Sequence, residues 1–279
     1  MIPLDVRGVL RRFSLHPKKS LGQNFLMDEA ALARVAAAAG LAGEDTVLEI
    51  GAGLGSLTRH LAAAARRVVA VELDENLRPA LEFVLKPWAN VEIHYGDILR
   101  LPASGLQLPA AYKVAGNIPY YITSAVIRHL LEADSKPALI VLTMQREVAE
   151  RLCARPGDMN LLAVSAQFYG VPRVLAHIPA GAFYPRPEVE SAVVRLEVLP
   201  QPAVAVADVD QFFRVVKAGF SQKRKQLRNS ISAGLQLAPA RVEALLAQAG
   251  IDPQRRAETL ALQEWGALAE AVGKSRGGD

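Results

Sequence analysis

A single cysteine, Cys153, stands in 279 residues, which excludes an internal disulfide and leaves no second thiolate for a metal site. The histidines, His16, His60, His94, His129 and His177, are scattered singly, at no spacing that would bring two imidazoles to one ion. No metal is expected. No apolar run approaches the roughly 18 residues of a membrane-spanning helix, so a soluble chain without a membrane partner is expected. The opening MIPLDVRGVLRRFSLHPKKS lacks the continuous apolar stretch and small-residue site of a secretory signal, and its Asp5 argues against a transit peptide. A cytoplasmic location is the resulting expectation. What is present is a globular balance, 51% hydrophobic and 22% charged, with a net charge of +4 that permits a polyanionic partner without demanding one.

From Thr46 onward, short β-rich runs alternate with helical stretches. The runs are TVLEIG, RRVVAVELD, VEIHYGD, YKVAGNIPY and ALIVLTMQ; between them lie SLTRHLAAAARR, ENLRPALEFVLKPW and TSAVIRHLLEAD. This alternation predicts βαβ units and a mostly parallel sheet. After QREVAERLCARPGDMN come three strand-like runs, LLAVSAQFYG, PRVLAHIP and SAVVRLEVLP, with little room for helices between them, which predicts an antiparallel finish. PQPAVAVADVD then reads as a linker, and everything beyond Asp210 reads as helix, punctuated by Pro239, Gly250 and Pro253. The expected organisation is an α/β domain over residues 1–204 and a smaller all-helical domain over 205–279.

Three motifs fall at predicted strand ends. VLEIGAGLGSLT places Gly51, Gly53 and Gly55 at a strand-to-helix turn, with Glu49 just before it, and Glu72 follows Gly51 by 21 residues, the offset of a ribose-binding acid. Because Ser56 stands where a dinucleotide fingerprint needs its third glycine, the loop is G-x-G-x-G and resembles that of S-adenosylmethionine-dependent methyltransferases. A generic βα turn is the plainer alternative. Asp97 in YGDIL ends the next strand, where it could receive an adenine amino group or simply cap a helix.

NIPY, residues 117–120, ends the fourth strand of the series and resembles the Asn/Asp-x-Pro-aromatic motif of enzymes that methylate exocyclic amines. An adenine amine is a poor nucleophile because its lone pair is delocalised into the ring. The Asn117 side-chain oxygen and a backbone carbonyl near Pro119 could hold both amine hydrogens and favour a nitrogen moving toward sp³. Tyr120 would stack on the base, an interaction worth about 1 to 3 kcal/mol. Phe183, held by Pro185 and Pro187 in FYPRPEVES, could close the other face of an extruded base or be an ordinary buried core residue. Tyr121 has no evident role.

In the helical region, if FFRVVKAGFSQKRKQLRNSI is one helix, Arg214, Lys217, Ser221, Arg224, Lys225 and Arg228 share an arc about 100° wide. Such a face can bind phosphates or be merely solvated, and Gly219 could interrupt the helix. Lys18 and Lys19 add a second basic patch.

Taken together, KKSLGQNFL, VLEIGAGLGSLT, VELD, GDIL, GNIPYYIT, LTMQREVAERL, FYPRPEVESAVVRL, AGFSQKRKQLRNS and RAETL closely resemble the small-subunit ribosomal RNA adenine dimethyltransferase (KsgA) family, in family order and across nearly the whole chain. The resemblance implies a Rossmann-like methyltransferase sheet with an antiparallel last strand, an N-terminal segment over the cofactor and a helical RNA-binding domain. It implies S-adenosylmethionine as methyl donor and two adjacent adenosines near the 3′ end of 16S rRNA, in the immature small subunit, as acceptors, for a monomeric enzyme. It assigns Asn24, Leu26, Gly51, Glu72, Asp97 and Asn117 to the cofactor, Asn117, Tyr120 and Phe183 to the target adenine, and Lys217, Lys223, Arg224, Lys225 and Arg228 to RNA. The chain departs from the family pattern at Ala52, often Pro, and at Met159–Asn160, often Tyr-Gly.

Overall fold

The computed structural model describes residues 1–101 and 103–275, with the side chains of all of these except 103, 104 and 120. The strands are β1 (Phe25–Leu26), β2 (Thr46–Ile50), β3 (Arg67–Glu72), β4 (Val91–Tyr95), β5 (Lys113–Asn117), β6 (Leu139–Gln145), β7 (Gly170–Ile178), β8 (Phe183–Tyr184) and β9 (Ser191–Val198). The helices are α1 (Val6–Arg12), α2 (Glu29–Ala38), α3 (Ser56–Ala62), α4 (Arg78–Leu85), α5 (Thr123–Glu132), α6 (Arg146–Leu152), α7 (Leu161–Tyr169), α8 (Val209–Phe220), α9 (Leu227–Leu235), α10 (Pro239–Gln248) and α11 (Leu262–Lys274). The chain divides into two compact units, Met1–Ala149 with Pro172–Val198, and Glu150–Val171 with Leu199–Asp279.

In the first unit, all five residues of TVLEI are buried, as expected of a strand covered on both faces. It forms β2, near the centre of a seven-stranded sheet of order β4-β3-β2-β5-β6-β9-β7. The pairs β3–β4, β2–β3, β2–β5 and β5–β6 are parallel, whereas β9 runs antiparallel to β6, with Leu139 opposite Glu197 and Gln145 opposite Ser191. The predicted α/β architecture and its antiparallel finish are therefore present. Asp5 and Asp28 start α1 and α2 by accepting hydrogen bonds from the amides of Gly8 and Ala31. Leu32, Val35, Leu61, Val68 and Val141 belong to the core that packs helices against this sheet.

The second unit has its own core around Trp265, Phe168 and Phe212, the last two rings stacked with centroids 4.5 Å apart. Two expectations fail here. LLAVSAQFYG reads as a strand but forms α7, because Asn160 caps it by accepting from the Ala163 amide at 3.1 Å and its buried residues, Ala163, Val164, Ala166 and Phe168, leave no clean polar face. Met159 is buried in the same core, so the departure from the family pattern at Met159–Asn160 is absorbed locally.

The long basic helix is also two helices. α8 ends at Phe220, where the Ser221 amide and hydroxyl both turn back to the Ala218 carbonyl. α9 begins after residues 221–226, its first amides, Leu227 and Arg228, donating to the carbonyls of Arg255 and Pro253 at 2.8 and 3.3 Å. Gly219 is not the break. It lies within α8 against Trp265, where a Cβ would sit 2.3 Å from a ring carbon.

Candidate functional site

A cavity in the first unit opens beyond the carboxyl ends of β2, β3, β4 and β5, where doubly wound sheets collect ligands. Its wall brings together six positions singled out by sequence: Asn24, Leu26, Gly51, Glu72, Asp97 and Asn117. Pro119 and Ile122 continue the wall beyond β5.

The turn after β2 is left-handed at Gly51, Gly53 and Gly55. At Gly53, with φ of 59°, a Cβ would also stand 3.2 Å from the Phe25 ring, so a side chain here meets both backbone strain and crowding. Glu72 holds this loop from the neighbouring strand. Its Oε2 accepts from the Gly53 amide at 2.7 Å and its Oε1 from the Asp74 amide at 2.8 Å. Burial raises the Glu72 carboxyl above its ordinary range against the lowering effect of these amides. Each oxygen keeps a further lone pair, so the group can still receive a pair of vicinal hydroxyls. Asp97 lines the cavity and caps a turn rather than a helix, its Oδ1 accepting from the Leu99 amide at 3.0 Å.

Glu49 is the residue whose importance the sequence left unstated. It is 1% exposed, lines the cavity, and neither carboxylate oxygen has a hydrogen-bond partner. Burial pushes its pKa up to about 8; the Thr58 hydroxyl, itself without an ordinary hydrogen bond, opposes the rise, and the Glu72 charge adds to it. Its signal was a carboxylate between Leu48 and Ile50 in an otherwise apolar strand. An orphaned acid in a cavity wall accommodates a ligand that brings donors.

Asn117 ends β5, and its Nδ2 donates to the Asn24 carbonyl at 3.0 Å. A carbonyl can only accept, so the amide orientation is fixed and Oδ1 remains the acceptor end. Leu26 is buried in the wall, paired through β1 and β8 with Phe183. Phe183 itself is 3% exposed, packed in the core and absent from the residues lining the cavity. Tyr120 begins a 3₁₀ turn, Tyr120–Ile122, but its side chain lies outside the described residues.

In the second unit, Lys217 is exposed on α8, and Lys223, Arg224 and Lys225 are exposed on the turn between α8 and α9. Arg228 differs, since its guanidinium donates to Glu243 Oε1 at 2.8 Å. The expected cationic group is thus a tight turn with one helical neighbour on each side, not a continuous stripe. Among the described residues no group of His, Cys, Asp or Glu could hold a metal ion, and no helix is long and apolar enough to cross a membrane.

Acids and an oriented amide gathered beyond a mostly parallel, Rossmann-like sheet are the arrangement of a methyltransferase that takes its methyl group from a nucleoside cofactor. A family model described as ribosomal RNA adenine dimethylase matches residues 15–274, and the chain belongs to that family. It is therefore an S-adenosylmethionine-dependent rRNA adenine dimethyltransferase. The chain is 46% identical over 264 residues to "Ribosomal RNA small subunit methyltransferase A" of Dehalococcoides mccartyi, covering 94% of this chain and 90% of that one. It is 45% identical over 283 residues to a protein of the same name from Pelotomaculum thermopropionicum, covering 96% of each. Among solved structures, the 23S rRNA methyltransferase ErmE superposes with a TM-score of 0.71 at 30% identity, over 90% of this chain and 100% of that chain.

Proposed function

We propose that this enzyme dimethylates the N6 amines of two adjacent adenosines near the 3′ end of 16S rRNA, acting as a cytoplasmic monomer on the immature small ribosomal subunit. The observation that carries this reading is the Asn117 amide, locked by Asn24 so that Oδ1 is presented as an acceptor at the end of β5. Similarity to the small-subunit enzymes of Dehalococcoides mccartyi and Pelotomaculum thermopropionicum supports the choice of RNA.

S-adenosylmethionine, when bound, supplies a methyl group already activated by a sulfonium centre. In this reading Glu72 receives the ribose hydroxyls, Asp97 the adenine amino group of the cofactor, and the glycine turn, Asn24 and Leu26 shape the wall around it. The unpaired Glu49 oxygens are satisfied by donors that enter with the ligand.

Asn117 Oδ1 takes one hydrogen of the target amine. The Pro119 carbonyl already accepts from the Ile122 amide at 3.2 Å, and its second lone pair takes the other hydrogen. Held in this way, the nitrogen can pyramidalise and aim its lone pair at the methyl carbon. Positioning of this kind accelerates a step that needs no nucleophilic side chain. Tyr120 and Phe183 are assigned to the two faces of the extruded base; because Phe183 is buried, its contact with the base requires local movement around β8. Lys217, Lys223, Arg224, Lys225 and Arg228 are assigned to rRNA phosphates.

Incubating the protein with methyl-labelled S-adenosylmethionine and undermethylated small subunits, then mapping the label, tests the reading. Two neighbouring dimethyladenosines near the 3′ end of 16S rRNA are the expected products. The similarity to ErmE favours large-subunit RNA as the second reading, and label found only there would replace the first.

A further inference from the structure

Tyr121 is a large aromatic left 63% exposed immediately after the amine-binding turn. It does not float. A Cβ placed on Gly22 would lie 3.4 Å from Tyr121 Cε1, 3.6 Å from its Cδ1 and 3.1 Å from Pro119 Cβ, so ring and proline both rest against bare backbone. Gly22 holds a left-handed conformation, φ 62°, at the end of the 3₁₀ turn Lys19–Leu21. This platform is anchored on both sides. Lys18 Nζ and Gln23 Nε2 donate to the two oxygens of Asp74 at 2.7 and 2.8 Å, and the Asn24 carbonyl receives the Asn117 amide.

Gly22, Pro119 and Ile122 also line the cavity, which puts the Tyr121 ring at its rim. Lys19 is exposed at the start of the same 3₁₀ turn that Gly22 ends, which gives this edge of the platform a positive charge. A seated aromatic ring next to the amine-binding turn and a cation on the turn that supports it suit one ligand chemistry, a purine with its phosphate. We propose that Tyr121, seated on Gly22, is the stacking site for the base adjoining the adenosine being methylated. The enzyme then grips two consecutive purines, one at the Asn117–Pro119 turn and one on Tyr121. This rests on the RNA substrate proposed above.

The test measures binding of a fluorescently labelled single-stranded oligoadenylate, and separately of S-adenosylmethionine, to the wild type, Tyr121→Ala and Tyr121→Phe. Base–aromatic stacking is worth about 1 to 3 kcal/mol, so Tyr121→Ala should weaken oligoadenylate binding by at least about fivefold. Tyr121→Phe, which keeps the ring, should restore it, and cofactor affinity should be the same in all three. Equal RNA affinity in wild type and Tyr121→Ala, absence of RNA binding by the wild type, or parallel loss of cofactor binding overturns the proposal. Methyl transfer to small subunits is scored independently: a wild type that binds oligoadenylate through Tyr121 but methylates no RNA refutes the catalytic reading and leaves the stacking site standing.

Discussion

Asn117 and Asn24, 93 residues apart in the chain, are joined by a 3.0 Å hydrogen bond from the Asn117 Nδ2 to the Asn24 carbonyl. The bond makes a generic strand end directional, because it leaves an acceptor where the chemistry needs one.

Replacing Asn117 by Ala should lower methyl transfer by about 100-fold, the usual cost of losing one positioned polar group in a transition state. Asn117→Asp should also fail, since a carboxylate cannot donate to the Asn24 carbonyl. Single-turnover transfer and calorimetric cofactor binding check this. Equal loss of both quantities in Asn117→Ala would assign the residue to the cofactor instead.

Glu72→Gln should weaken S-adenosylmethionine binding by at least about 10-fold. The amide keeps one acceptor where the carboxylate serves both the Gly53 and Asp74 amides, and hydrogen bonds to charged groups contribute about 1.5 to 3 kcal/mol. Calorimetry measures the loss directly. An affinity within twofold of wild type would remove Glu72 from the loop-holding role.

Glu49 makes stability depend on pH in a direction its burial dictates. Its pKa rises from 4.5 to about 8 on folding, so between these values the folded chain holds more protons than the unfolded one. The contribution is fully present below about pH 4.5 and is lost as the pH climbs toward 8, by an amount on the order of a few kcal/mol. Urea midpoints of the ligand-free protein at pH 5 and pH 8 should show a smaller fall for Glu49→Gln than for wild type. Identical falls would mean the carboxyl is not held neutral.

The turn between α8 and α9 should govern salt-sensitive binding. Changing Lys223, Arg224 and Lys225 together to Gln should reduce affinity for small subunits and make it less dependent on salt, by about one unit of slope for each phosphate that is no longer neutralised. Arg228→Gln should do less, because its guanidinium is already engaged by Glu243. Binding measured at several salt concentrations separates the two, and an unchanged slope in the triple variant would move the RNA-binding surface elsewhere.

Four of the cavity residues were legible because each lies at or just beyond the end of a predicted strand, and strand ends in a parallel sheet converge, whereas Asn24 and Leu26 came only from the family resemblance. Gly51, Glu72, Asp97 and Asn117 needed only the alternation of β and α to be placed together. α7 was not legible. Its buried residues follow no single face, and an apolar run of that length looks alike as strand or helix until the Asn160 cap is seen. The basic helix misled for a related reason: its periodicity continues through residues 221–226, but the start of α9 is set by carbonyls of residues 253 and 255.

Local pattern was thus sufficient for the sheet, the glycine turn and the type of residue at each strand end, since these depend on spacing and backbone preference within short windows. Long-range packing supplied what spacing cannot encode. It oriented the Asn117 amide through Asn24, buried Phe183 behind Leu26, stripped Glu49 of partners and seated Tyr121 on Gly22. Each outcome depends on distant parts of the chain, because the direction of an amide, the exposure of a ring and the solvation of an acid are set by what tertiary packing places, or fails to place, around a residue.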